Sequence, residues 1–280
     1  NVDQLTADPS AAQARKVKWL AALHSVGFSF AARPDGLQAD LKATTQGGLT
    51  PQDLPFASGS QSAPVVRRAT DVGFGMRNLA QTIKFLEATA QVTDPTGFAR
   101  YKRRKAAFGR ALGIDLDRDV ISQLSGDASV SVGLDGGFAV RSSLRDPAAF
   151  RATLKKSAPK LSTALKSQNA GVALPQKPGG FYALATAAGK KYVFAVVGDK
   201  FVLATDPSRA GQFASQSAAP VPGASGSLVM AMDTRAIANQ VAQKQGQSGA
   251  AIITGVLGDF IGSIETETGG LTGSFKLNIK

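Results

Sequence analysis

The run Arg100-Tyr101-Lys102-Arg103-Arg104-Lys105 places five cationic side chains and one aromatic ring in six consecutive residues. That chemistry holds anions. Guanidinium groups match the two-oxygen edge of a carboxylate or phosphate, and ammonium groups act as mobile point charges. Residues 61–112 carry ten basic and three acidic groups, out of a net charge of +12 for all 280 residues. The candidate anion-binding residues are Arg67, Arg68, Arg100, Lys102, Arg103, Arg104 and Arg110, a surface that Arg77 and Lys84 could join. A positive field of this kind recruits anionic polymers or lipid headgroups. It also serves simply to keep a protein soluble. Nucleic acid is not expected as the partner, because no recognised motif or aromatic stacking platform accompanies the charge.

Other chemistry is sparse. With no cysteine, disulfides, thiolate metal sites and cysteine nucleophiles are excluded. His24 is the only histidine and reads as a residue in the last turn of a helix. Asp115, Asp117 and Asp119 begin like a calcium loop, but Val120 and Gly126 stand where glycine and an acidic ligand are required. Gly73-Phe74-Gly75 opens like a dinucleotide fingerprint, yet its glycines fall inside a strand and Asn78 fills the last position. Ser157 and Lys160 match a short hydrolase motif whose companion motifs are missing. Glu265 and Glu267 share one face of a strand, as solvated carboxylates do. No catalytic, cofactor or metal residue is assigned. A hydrolase with an unmotifed Asp/Ser/Lys site is the alternative to a binding module.

The elements that must position these residues announce themselves by their caps. Four apolar runs end in Asn or Asp and turn into a helix, at Asn78, Asp146, Asp206 and Asp233. Such side chains accept hydrogen bonds from the free N–H groups of the first turn. Proline follows directly at Pro147 and Pro207, where it fits the first helical position. The pattern predicts helices from Asp8-Pro9 to about Ser25, over Leu79–Ala90, Pro95–Leu112 and Asp117–Leu124, and after Asp146, Asp206 and Asp233. An apolar helix is expected near 250–261. On the helix from Pro95, Phe98, Tyr101, Phe108 and Leu112 form one stripe, expected to be buried. The arginines lie opposite. Strands are expected over 28–32, 37–43, 65–76, 128–134, 138–144, 181–186, 192–197, 201–205, 228–232, 263–268 and 271–279. The short turns between many of them require antiparallel pairing.

The fold class expected is therefore α+β, with mainly antiparallel sheets and packed helices built from repeated strand–cap–helix units. A helix and hairpin ending in Gly36-Leu37 parallel a second set ending in Gly270-Leu271, which suggests a partial internal duplication. Residues 1–60 then read as the tail of a first repeat, whose leading strand would lie almost wholly before residue 1, and 61–280 as a complete unit packed with it. The chain does not begin with Met and has no apolar leader, as in a mature form. No apolar run reaches the roughly 18–20 residues of a membrane span.

Several phrases also resemble a family. Gly113-Ile114-Asp115-Leu116-Asp117-Arg118-Asp119-Val120, Leu144-Arg145-Asp146-Pro147-Ala148-Ala149-Phe150, and Val196-Val197-Gly198-Asp199-Lys200-Phe201-Val202-Leu203 followed by Asp206-Pro207 look like an uncharacterised family of actinobacterial cell-envelope proteins. The resemblance spans about residues 65–280. It implies an extracytoplasmic protein, secreted or anchored through a separate segment. It carries over no activity, cofactor or site residue. The function expected is a non-enzymatic binding or scaffolding module of the cell envelope, for an anionic polymer, a lipid or a protein partner.

Overall fold

The computed structural model describes residues 15–59, 61–66, 70–165, 171–175, 180–186, 189–245 and 256–279. Its frame is one twelve-stranded sheet. In chain order the elements are α1 (Lys18–Ala21), β1 (Leu23–Arg33), β2 (Gly36–Thr45), β3 (Asp71–Met76), α2 (Leu79–Thr93), α3 (Pro95–Leu112), β4 (Ala128–Gly133) and β5 (Phe138–Ser143). There follow α4 (Pro147–Leu165), β6 (Gly171–Ala173), β7 (Tyr182–Ala185), β8 (Lys191–Val197), β9 (Lys200–Ala204), α5 (Pro207–Ser215), β10 (Leu228–Asp233), α6 (Thr234–Gln245), β11 (Leu257–Glu267) and β12 (Gly270–Ile279). Across the sheet the order is β1-β2-β12-β11-β10-β3-β4-β5-β9-β8-β7-β6. Every pairing is antiparallel. The fold is α+β, as the hairpin-linked strands require.

All four caps form. Asn78 accepts from the N–H of Gln81, Asp146 from Ala149, Asp206 from Arg209 and Asp233 from Ala236, at 2.7–3.1 Å. Asp94 caps α3 in the same way through Gly97. Asp115 and Asp119 are spent on the turn itself. Asp115 accepts from the N–H groups of Asp117 and Arg118, and Asp119 accepts from the N–H of Asp115. The helix expected over 117–124 is a wide five-residue turn, Leu116–Val120, followed by one 3₁₀ turn.

The two faces of the sheet are covered differently. On one face α5 packs Ala210 and Phe213 against Ala139, Val193, Val202 and Ala204. Beside it the connector residues Ala63 and Val65 lie on Val229 and Ala231. That connector approaches β3 closely: a Cβ at Gly75 would fall 2.6 Å from the Pro64 carbonyl oxygen. The Gly-x-Gly of β3 is therefore a seat for the connector. On the opposite face α4 buries Phe150 and Ala158 against Phe194, Val196 and Phe201, with Leu79 and Ile83 of α2 alongside.

Helix α5 is pinned at both ends by buried arginines. Arg209, 5% exposed, donates to Asp71 at 2.6 Å and to Asp135 at 3.0 Å. Asp71 in turn accepts from the Ser131 hydroxyl. At the other end Arg141 donates to the carbonyls of Phe213 and Gln216 and lies over the Phe213 ring. Burial pushes its pKa down from the ordinary arginine value. Cations at the C-terminal end of a helix are favoured by its dipole.

Several expectations are corrected. The first helix does not reach Ser25: α1 ends at Ala21 and a strand starts at Leu23. His24 therefore lies in β1, where its Nδ1 meets Gln46 at 3.2 Å. The apolar helix near 250–261 is overturned over 257–261, which is the start of β11. In both places ladder bonds to a neighbouring strand override local helical preference. Residues 1–14 and 246–255, where the remaining parts of those two helices were expected, lie outside the described residues. So do Arg67 and Arg68. The expected strand over 65–76 is regular only from Asp71, with Val65 bridging to Ala219. The three-residue β6 was not foreseen.

The β1–β2 and β11–β12 hairpins share one geometry. An offset of 270 − 36 = 234 residues turns the closing pair Arg33↔Gly36 into Glu267↔Gly270, and Leu23↔Thr45 into Leu257↔Ile279. The irregularity beside Leu23 recurs beside Leu257. Between the hairpins, β2 and β12 pair about Asp40↔Ser274, themselves 234 apart. The flanking bonds match as well: Ile279 N–H to the Asp35 carbonyl at 2.9 Å, and Thr45 N–H to the Gly269 carbonyl at 3.0 Å. β2 and β12 are thus related by a local two-fold.

A small ion pair links α1 to the loop after β2. Lys18 donates to Asp53 at 2.6 Å, and Asp53 also takes the Thr50 N–H and hydroxyl. The Lys18 bond, then the Thr50 bonds, hold the Asp53 carboxyl down at about 2 against an ordinary 3.8. A lowered folded pKa means that this stability is present above about pH 4 and is lost as pH falls towards 2. We expect Asp53→Asn to remove that part of the acid sensitivity in urea titrations at pH 2–4. The effect should stay below about 1 kcal/mol, because Lys18 is more than half exposed.

Candidate functional site

Helices α2 and α3 form an arm joined at Asp94, and the turn after α3 folds back beside them. Gly113 ends α3 in the left-handed conformation, a cap that releases the chain into the 114–118 turn. Between these parts lies a groove of about 890 Å³, with Lys84, Lys102, Lys105, Arg110 and Arg118 among its lining residues. Its floor is a polar cluster. The Tyr101 hydroxyl donates to Glu87 at 2.5 Å, and Lys105 bridges Glu87 at 2.7 Å and Asp117 at 2.5 Å.

The electrostatics follow from this geometry. Partial burial works against the charge on Lys105. Its bonds to Asp117 and Glu87 outweigh that, so its pKa lies above the ordinary lysine value. Burial first, then the bond to Glu87, pushes the Tyr101 phenol up as well. Lys105 is thus a neutralised cation that ties α3 to α2 and to the turn. Arg118 is likewise paired, with Asp119 at 2.7 Å. Among the described residues Lys84, Arg100, Lys102, Arg103, Arg104 and Arg110 form no such ion pair.

Of the predicted site residues, Lys102 and Arg110 come together at the groove. Arg100, Arg103 and Arg104 stand exposed on the helix outside it. Lys84, which the sequence reading joined to the anion-binding surface, also lines the groove, whereas Arg118 was missed. Lys84 falls near Lys102 only because α2 and α3 pack side by side, which no local spacing encodes. The expected buried stripe is corrected too. Leu112 is buried, but Phe98 is only half-buried, and Tyr101 and Phe108 are 42% and 41% exposed. Helix α3 buries only Gly109 and Leu112. Phe98 and Tyr101 stack on each other at 5.9 Å and carry Lys102 and Lys105 over their rings. The periodicity marks an apolar face correctly but does not say what covers it.

Together these features define a class: an antiparallel α+β sheet protein with a projecting, basic, aromatic-edged helical arm. Comparison with known proteins finds no matching family model, no similar curated protein and no similar solved structure. Among the described residues no helix is long and apolar enough to cross a membrane, and no group of three potential metal ligands comes together.

Proposed function

We propose that this protein is a non-enzymatic binding or scaffolding module of the cell envelope, acting outside the cytoplasm, which docks through the α2–α3 arm onto an anionic polymer or lipid surface. One observation carries the reading: among the described residues six cations on this arm have no carboxylate partner, and exposed aromatic rings stand among them. Charges attract the headgroup layer, and amphipathic rings settle at its boundary. The sequence phrases that resemble actinobacterial envelope proteins support the location.

The polar cluster in the groove is where the alternative hydrolase would have its site. A lysine acting there as general base or nucleophile needs a lowered pKa, whereas the bonds to Asp117 and Glu87 raise that of Lys105. The cluster is better suited to bracing the arm.

The architecture supports a partial internal duplication as well. The β1–β2 and β11–β12 hairpins agree in length, closing pair and irregularity, and helix α1 precedes one as α6 precedes the other.

The binding test uses vesicles of phosphatidylglycerol and phosphatidylcholine, pure phosphatidylcholine vesicles, and soluble polyphosphate. We expect binding to the anionic probes at low salt, falling steeply as ionic strength rises. Arg103→Gln with Arg104→Gln should weaken vesicle binding by about 2 kcal/mol, at about 1 kcal/mol per basic residue near the surface, without changing the unfolding midpoint. Salt-insensitive binding, or none, would leave the arm with a solubility role only.

A further inference from the structure

Two strand–helix–hairpin units in the sheet obey one rule. The leading strand lies antiparallel beside the first strand of its hairpin: β3 beside β4, and β10 beside β11. For the third hairpin, β1–β2, that place is empty among the described residues, and β1 forms the end of the sheet. The consequence shows in exposure. Along β11 only Glu267 is exposed, whereas β1 is exposed at nine of its eleven positions. Val26, Phe28 and Phe30 stand 51%, 68% and 64% exposed in a row on one face.

Among the described residues the edge carries none of the usual protection. Exposed edges are commonly blunted by charges, proline or shortness. The opposite end of the sheet follows that practice with the three-residue β6. β1 has eleven residues, no proline, and no Lys, Arg, Asp or Glu before Arg33. Arg33 and Gly36 close a two-residue turn as a paired couple. In an antiparallel ladder bonding direction alternates along the strand. The N–H and C=O groups of Val26, Phe28 and Phe30 therefore point away from β2, ready for a further strand.

We infer that β1 accepts an extended polypeptide strand of the β10 type, added antiparallel across residues 25–30. The local two-fold supplies the register. Met230 lies opposite Gly262, whose counterpart at the 234-residue offset is Phe28, and Ala231 lies opposite Ile261, whose counterpart is Gly27. The incoming strand sets apolar side chains beside Val26, Phe28 and Phe30, and small or polar ones beside Ser25, Gly27 and Ser29. It carries no charge in its middle, because β1 offers none to pair with. The inference rests on the duplication for its register, and on the bare edge alone for the pairing itself. It is independent of anion binding by the arm.

The probe is a labelled peptide with the sequence of residues 227–233 and two added C-terminal lysines, titrated against the whole chain by fluorescence anisotropy. We expect saturable binding. Phe28→Pro removes one outward N–H and no bond to β2, a position where proline is tolerated. It should weaken binding by about tenfold, the worth of one ladder bond, with the unfolding midpoint of the chain kept as a check. Register is read in an otherwise unaltered chain. The protein has no cysteine, and a Cβ at Gly27 meets nothing nearer than 3.9 Å. Gly27→Cys should form a disulfide with a peptide carrying cysteine in place of Ala231, whereas Ala31→Cys should not. Absence of saturable binding, or binding indifferent to Phe28→Pro, would overturn the strand addition. Dimerisation of the chain through β1 without peptide binding would also overturn it, in favour of a second copy. Binding with disulfides at a different register would overturn the β10 analogy and the duplication with it.

Discussion

Replacing Arg209 with Met will destabilise the protein by about 3–5 kcal/mol, the cost of removing one member of a buried ion pair. The remaining group is Asp71, 2% exposed, which loses its 2.6 Å bond from the guanidinium and retains the Ser131 hydroxyl among its contacts. The same change removes the bonds from the start of α5 to Asp71 of β3 and to Asp135 of the β4–β5 turn. Asp135→Asn serves as the contrast. Its carboxylate is more than half exposed, so its loss should cost below about 1 kcal/mol. Urea unfolding of both variants decides the matter. A second comparison sharpens it: Arg209→Met combined with Asp71→Leu should cost less than the two single changes added together, because no buried charge remains. An Arg209→Met midpoint within error of the parent protein would show that the cluster is not what holds α5.

Gly36→Ala and Gly270→Ala should each destabilise by about 3 kcal/mol, and by matching amounts. Both glycines close a two-residue turn with positive φ, +150° and +154°. At Gly36 an added Cβ would fall 2.0 Å from the Leu277 carbonyl oxygen, and at Gly270 2.1 Å from that of Ala43. The obstacle is backbone in both cases, so no side chain can swing aside. Strained backbone positions cost about 1–3 kcal/mol each, and the clash adds to that. Leu277 and Ala43 are themselves counterparts at the 234-residue offset, which is why the penalties should agree. Chemical denaturation of the two variants tests this. Tolerance at one glycine and collapse at the other would mean that the two-fold is a likeness of outline, not of packing.

The features legible in the sequence are those decided within three or four residues. Asn78, Asp146, Asp206 and Asp233 each bond to the N–H three positions on, so residue type alone places them. The β4–β5 and β8–β9 hairpins are set by their short turns in the same way. What was hidden depends on partners far along the chain. Leu23 and Leu257 begin strands because β2 and β12 lie alongside, although the neighbouring residues favour helix. Arg209 meets Asp71 across 138 residues, and nothing near either residue announces the pairing. At the site, charge clustering revealed Lys84, Lys102 and Arg110, but the fold of the turn after α3 was needed to add Arg118. The exposed rings of Tyr101 and Phe108 show the same limit, since helical spacing is identical whether a face is covered or bare.

The pairing of β2 with β12 also sets a timetable. Residues 36–45 leave the ribosome more than two hundred residues ahead of their neighbours at 270–279. At about 5–20 residues per second, the newly made β1–β2 hairpin waits roughly 10–50 seconds with both edges open. Isolated two-stranded hairpins are marginal in water, so residues 23–45 spend that interval largely unstructured, with Phe28 and Phe30 in the open. The seam between β2 and β12 then closes after the other pairings of the described sheet. It is where a nascent chain has most need of a chaperone, and where amide exchange in the finished protein should report how often the sheet parts.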